Sequence, residues 1–126
     1  MEIDVVGSLA KLDFLFSRFR NGPIPGKQPA VDRLEVVQVS GGEGQVVWSI
    51  SRDPTCVPTP KLAYGGVPTG WKEQVQAEAL KPEVTYVLTA SGCGFYGGRT
   101  FKILRGKIVS KVGNGDMPVR EVQAME

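Results

Sequence analysis

Hydrophobic and polar residues alternate along several short segments of the chain. The alternation is clearest over residues 12–17, 33–38, 46–51 and 84–89, where every second side chain is apolar or aromatic. A period of two is typical of strands with one buried and one exposed face. Turns that contain glycine, proline or asparagine separate these segments, at intervals of about 8–12 residues. The pattern predicts an all-β fold, either an antiparallel β-sandwich or a small barrel.

The N-terminal part of the chain also allows a helix. Leu9, Leu12, Phe16 and Phe19 recur at roughly helical spacing. We favour a strand, because no capping residue and acidic first turn combine to open a helix there. The composition points the same way, since the chain has seventeen valines and seven alanines, and branched side chains suit a pleated sheet.

We expect a single β-sandwich domain over residues 1–112, with two extra strands before its first regular strand. The pattern breaks at residues 113–116, Gly-Asn-Gly-Asp, and residues 113–126 are expected to form a loosely ordered tail.

The residue content excludes several classes of function. The chain has no histidine, so Ser-His-Asp and Cys-His catalysis are not available to it. Its carboxylates are scattered without a recognisable catalytic pair, and we expect neither enzyme activity nor a cofactor. A net charge of +2, from fifteen basic and thirteen acidic residues, is too balanced to indicate a nucleic-acid partner. No apolar stretch reaches the ~18 residues of a membrane helix, so no membrane span is expected.

The segment from Leu80 to Ala90 carries the most specific signal. Its residues LKPEVTYVLTA resemble Leu-x-Pro-x-x-x-Tyr-x-Val/Leu, the stretch that opens strand F of fibronectin type III and related immunoglobulin-like domains. Residues 47–50, VWSI, are similar to a strand B with a buried tryptophan. The resemblance covers about residues 32–105 and implies an immunoglobulin-like, fibronectin type III-like antiparallel β-sandwich. It also implies a tyrosine corner, with Tyr86 bonded to backbone at residues 80–83 and Leu80 in the core.

A second resemblance concerns the cellular compartment. Residues 64–70, YGGVPTG, are similar to segments of small bacterial envelope or lipoprotein-type domains. The likeness implies a periplasmic protein or outer-membrane lipoprotein in preference to a cytoplasmic one. Residues 1–14 do not resemble a signal peptide, because Glu2 and Asp4 occupy the region that should be basic. An envelope location would therefore need a leader removed before residue 1, and the cytosolic alternative stays open.

The two cysteines follow the strands that the resemblance identifies as B and F. In an immunoglobulin-like sandwich the loops after these strands emerge at the same end of the molecule. A disulfide between Cys56 and Cys93 fits that arrangement, and the alternative is two free thiols in a reducing compartment. A metal site is disfavoured, because two cysteines without histidine would need carboxylates from elsewhere.

Residues 91–99, SGCGFYGGR, are the main candidate for a binding surface. We interpret them as a loop in which four glycines surround Phe95 and Tyr96, with Arg99 alongside. Exposed aromatic rings give a large contact area and have few rotamers to order. The competing interpretation is that Phe95 caps the end of the sandwich and the glycines only satisfy turn geometry. Trp71 heads a polar strand and is expected either at this binding surface or at an edge of the core.

These features favour a non-catalytic binding or structural module of the bacterial cell envelope, with a protein partner. One alternative is an inhibitor-type protein. Ser91, Gly92 and either Phe95 or Tyr96 resemble the Ser-Gly-x-x-Tyr loop that periplasmic lysozyme inhibitors insert into the lysozyme cleft. The other alternative is a structural subunit of a larger assembly, such as a phage or a secretion apparatus.

Overall fold

Strands account for all the regular structure in the described part of the chain. The computed structural model describes residues 1–17, 29–39 and 44–112, without the side chains of Lys111 and Val112. Within these ranges there are nine strands and no helix, so the all-β prediction is confirmed. The expected tail over residues 113–126 lies outside the described residues. The strands are β1 (Glu2–Gly7), β2 (Leu12–Ser17), β3 (Arg33–Gln38), β4 (Gln45–Ser51), β5 (Lys61–Ala63), β6 (Lys72–Val75), β7 (Tyr86–Gly92), β8 (Phe95–Leu104) and β9 (Lys107–Val112).

The strands form two antiparallel sheets. The smaller sheet has the order β1-β2-β5, and the larger has the order β6-β4-β3-β7-β8-β9. Within the segment that allowed a helix, residues 12–17 form strand β2, whose side chains alternate between buried and more exposed positions. The two strands that precede β3 therefore make up most of the smaller sheet.

The core lies between the two sheets. The alternating apolar residues of β2 face those of β3, β4, β7 and β8, and all of them are buried. Phe14, at the centre of the smaller sheet, has its ring centroid 6.5 Å from that of Trp48 on β4 and 6.1 Å from that of Phe101 on β8. The arrangement is that of a β-sandwich, because each sheet buries one face against the other.

The strand order differs from that of an immunoglobulin domain. The strands that resemble B and F are β4 and β7, and both lie in the larger sheet, with β3 between them. In immunoglobulin domains, strands B and F belong to opposite sheets. The likeness is therefore carried by local features and not by the order of the strands.

Tyr86 is the clearest of these local features. Its ring is 1% exposed and stacks on Phe101, with 5.6 Å between the ring centroids. Its hydroxyl oxygen accepts a hydrogen bond of 2.8 Å from the backbone N–H of Lys81. Leu80 is also buried. The segment before β7 thus has the geometry of a tyrosine corner, in which the hydroxyl ties the strand to the backbone upstream.

Candidate functional site

The segment interpreted as a loop over residues 91–99 is a tight β-hairpin. Strand β7 continues to Gly92 and β8 begins at Phe95, so only Cys93 and Gly94 form the turn. Their φ angles are 47° and 85°, both in the left-handed region. Two-residue turns with positive φ at both positions match the twist of the flanking strands and allow full pairing up to the turn. The side chains after the turn therefore alternate between the two faces of a sheet.

This alternation separates the three residues that the sequence grouped as one binding surface. Phe95 is half-buried and packs against the core, and Arg99 lies on the same side. The Arg99 guanidinium donates hydrogen bonds from Nε and Nη2 to Ser110 Oγ, at 3.2 and 3.0 Å. Tyr96 points to the opposite side and is 67% exposed. Phe95 and Arg99 are therefore not part of the surface that carries Tyr96, because they occupy the other set of alternate positions.

Trp71 is also absent from the surface that carries Tyr96. Its side chain is 8% exposed, and the Arg52 guanidinium lies over its ring, 4.9 Å from the centroid. Lys72, and not Trp71, pairs with Ser51 in the sheet, so Trp71 seals the end of the core beneath Arg52.

The cysteines form a disulfide that links the hairpin to the connection between β4 and β5. Cys56 and Cys93 are joined with their Cα atoms 5.5 Å apart. The same connection is held independently at Thr59, whose N–H donates to the Pro29 carbonyl oxygen at 2.9 Å. The Thr59 hydroxyl accepts hydrogen bonds from Val31 N–H and Arg52 Nη2, both at 3.0 Å. The connection that carries Cys56 is therefore fixed by these hydrogen bonds as well as by the disulfide.

Two glycines let other backbone segments approach the hairpin closely. A Cβ atom on Gly92 would lie 2.5 Å from the Ala30 carbonyl oxygen, and one on Gly97 would lie 2.6 Å from the Met1 carbonyl oxygen. The Met1 nitrogen also donates a hydrogen bond to the Tyr96 carbonyl oxygen, at 3.3 Å. Each strand of the hairpin is thus packed against another segment of the chain, β7 against residues 30–32 and β8 against Met1.

The side of the larger sheet that faces away from the smaller one, the outer face, carries aligned rows of side chains. Each row follows from the strand register. One row consists of Lys72, Ser51, Arg33, Ser91 and Tyr96, and the next consists of Val75, Ser49, Glu35, Thr89 and Gly98. Short hydroxyl side chains thus flank Arg33 and Glu35 on the outer face, and Gly98 has no side chain.

These short side chains leave a cavity on the outer face. Its volume is about 300 Å³, and we call it the Tyr96 cavity. Its lining residues are Arg33, Glu35, Thr89, Ala90, Ser91 and Tyr96. Within the described ranges, neither the Arg33 guanidinium nor the Glu35 carboxylate has a hydrogen-bond or ion-pair partner in the chain. The cavity therefore offers a cation, an anion, two hydroxyl groups and an exposed aromatic ring to a ligand.

Sequence reasoning identified Tyr96 and Ser91 but missed Arg33, Glu35 and Thr89. The local signal was present, because these polar residues alternate with the buried side chains of β3 and β7. The sequence did not show that β3 and β7 are neighbours, since their paired residues lie between 48 and 58 positions apart in the chain.

Over the described residues, no three cysteine, aspartate or glutamate side chains come together as a metal site would require. The same part of the chain has no helix long and apolar enough to cross a membrane. Compared with known proteins, the chain matches no protein family, no curated protein and no solved structure.

Proposed function

We propose that the chain is a non-catalytic binding module that contacts a protein partner through the outer face around the Tyr96 cavity. The observation that carries the proposal is the 67% exposure of Tyr96 beside an open cavity. Among the large hydrophobic side chains of the described residues, it is the most exposed. Tyrosine is a frequent anchor of protein interfaces, because its ring buries a large area while its hydroxyl can still form a hydrogen bond.

The charges beside Tyr96 support this proposal. Arg33 and Glu35 have no partners within the described part of the chain, so a second molecule can complete their hydrogen bonds without breaking existing ones. Charged groups at the edge of an aromatic anchor fix the orientation of a partner more than they add affinity.

We propose the bacterial cell envelope as the location of the module. The Cys56–Cys93 disulfide supports this, because structural disulfides persist in the periplasm and are rare in a reducing cytosol. The proposed relation to fibronectin type III domains is local and rests on the tyrosine corner of Tyr86 and on the buried Trp48.

The binding surface can be tested by photo-cross-linking in cells of the native organism. Benzoylphenylalanine replaces Tyr96 in one variant and Val67 in the control, since Val67 is also exposed, at 41%, but lies in the connection between β5 and β6. We expect a discrete cross-linked protein at position 96 and none at position 67. Arg33→Ala, added to the first variant, should lower the yield several-fold without changing the melting temperature. Equal cross-linking at both positions, or none at position 96, would contradict the proposal.

The inhibitor alternative keeps one observation in its favour. Ser91 and Tyr96 are direct register partners on the outer face, so a serine and a tyrosine are presented side by side. If this pair enters an enzyme cleft, the protein should inhibit lysozyme in a cell-wall turbidity assay, and Tyr96→Ala should abolish the inhibition. If micromolar concentrations of the protein do not inhibit lysozyme, this alternative is ruled out and the proposal of a general binding module is unaffected.

A further inference from the structure

We propose that the Tyr96 cavity binds a single neutral sugar ring, as part of a glycan. The ligand lies on the same outer face as the proposed protein partner, but the inference does not require that partner. It goes further by naming the chemistry that the cavity recognises.

The size of the cavity limits the ligand to one small ring. Its volume of about 300 Å³ lies at the lower end of the range for small-molecule sites, about 300–1,000 Å³. The cavity is partly open to solvent, so a ring held there can continue into a chain outside it. A monosaccharide unit of a longer glycan has this shape.

The hydrogen-bonding groups match a ligand whose every polar group both donates and accepts. Arg33 has only donors, ionised Glu35 has only acceptors, and the hydroxyls of Thr89 and Ser91 can act as either. Neighbouring hydroxyl groups of a sugar can accept from the guanidinium and donate to the carboxylate at the same time. This pairing satisfies both charged groups without bringing a further charge into the site.

The Arg33 and Glu35 pair argues against a charged ligand. The two residues are two positions apart on β3, on the same face, and both line the cavity. An anion attracted by Arg33 would be repelled by Glu35, and a cation would meet the opposite problem. A ligand without net charge, such as a neutral polar ring, avoids both repulsions.

Tyr96 supplies the apolar part of the site. An aromatic ring carries negative charge density on its face, and the axial C–H groups of a sugar ring are weakly positive and apolar. The absence of a side chain at Gly98, two positions along the same strand, leaves room beside the tyrosine for the ring to lie against it.

The experiment is a titration of the isotope-labelled full chain, followed by amide chemical shifts. The probes are glucose, galactose and N-acetylglucosamine, together with glucuronate and glucosamine as charged rings of the same size. We expect at least one neutral sugar to give saturable shifts at the amides of β3, β7 and β8 that border the cavity. The charged analogues should bind more weakly than the neutral sugar.

Matched variants identify the contacts. Tyr96→Ala should weaken binding at least tenfold, as expected for the loss of an aromatic anchor. Glu35→Gln should weaken it about tenfold, because a charge-assisted hydrogen bond is replaced by a neutral one. Lys102→Ala is the control on the same strand, outside the cavity lining, and should leave the affinity unchanged.

Three outcomes would overturn the inference: no saturable shift with any neutral sugar, binding of glucuronate alone, or an affinity that Tyr96→Ala leaves intact. Failure here is distinct from failure of the proposed function. Cross-linking at position 96 without sugar binding would support the protein partner and remove the glycan. Sugar binding without cross-linking would support the glycan ligand and remove the protein partner.

Discussion

The three tyrosines of the chain differ in what their hydroxyl groups do. Tyr86, whose side chain is buried, accepts a hydrogen bond from Lys81 N–H at the edge of the core. Tyr64 donates one of 2.6 Å to the carbonyl oxygen of Glu78. The hydroxyl of Tyr96 has no partner within the described part of the chain. Substituting phenylalanine at each position therefore tests one hydroxyl group at a time.

Tyr86→Phe should lower the free energy of unfolding by about 1–2 kcal/mol, because the Lys81 N–H loses a part-buried hydrogen-bond acceptor. Urea denaturation measures this loss. Tyr96→Phe removes an exposed hydroxyl and should leave the stability unchanged. Equal effects of the two substitutions would mean that the hydroxyl of Tyr86 does not stabilise the fold.

Because of Tyr64, the stability of the fold should decrease at alkaline pH. The pKa of Tyr64 is raised to about 12, mainly by burial and also by the nearby Tyr86 and Glu78, while its hydrogen bond to the Glu78 backbone acts in the opposite direction. The unfolded chain has a tyrosine pKa of about 10, so the folded state holds this proton more tightly. Its contribution to stability is complete below pH ~10 and is lost between pH ~10 and ~12.

Urea denaturation across this pH range measures the effect. Tyr64→Phe should reduce the decline in stability with pH, since the variant has no proton to lose at that position. An unchanged slope in the variant would show that other groups cause the decline.

Strand β8 shows how an element can be misread from its residues. Its four-residue stretch Tyr96–Arg99 contains two adjacent glycines, which in a sequence are typical of a loop. In the structure they lie within a paired strand, because β1 crosses the sheet at Gly97 and leaves no space for a side chain. Glycine inside a strand can thus mark a close backbone approach, and the sequence does not reveal which strand approaches.

Gly97→Ala should destabilise the protein by about 1–3 kcal/mol, because the added Cβ would overlap the Met1 carbonyl and force β1 away from β8. Thermal and urea denaturation report the change. Gly66→Ala is the matched control, since its Cβ would meet its nearest neighbour at 3.4 Å, an ordinary contact. A variant at Gly97 as stable as the control would show that β1 does not pack against β8 as described.

At the scale of the whole molecule, local patterns were predictable and distant pairings were not. The alternation around Leu34 and Leu88 correctly placed β3 and β7 and their buried faces, because a period of two is written in neighbouring residues. The direct pairing of these two strands depends on how the complete sheet assembles, and no local signal encodes it. The sequence therefore did not indicate that Arg33 and Glu35 lie beside Thr89, and the cavity could not be predicted from it.

The disulfide acts on the molecule as a whole by closing a span of 37 positions. Replacing both Cys56 and Cys93 by serine should lower the free energy of unfolding by about 3–4 kcal/mol, through the larger conformational freedom of the unfolded chain. The far-ultraviolet circular dichroism should stay that of a β protein. Reductant should have the same effect on the wild type and none on the double variant. A loss below ~1 kcal/mol would show that Thr59 and Arg52 hold this connection without the bridge.

The fixed position of the β7–β8 hairpin has a consequence for the speed and temperature dependence of recognition. The turn is covalently tied at Cys93, and both strands rest on other backbone at Gly92 and Gly97. A molecule that docks beside Tyr96 immobilises little more than one aromatic side chain with two rotatable bonds. Association should then proceed in a single kinetic phase, without a slow rearrangement after the encounter, and differences in affinity among ligands should reside in their dissociation rates.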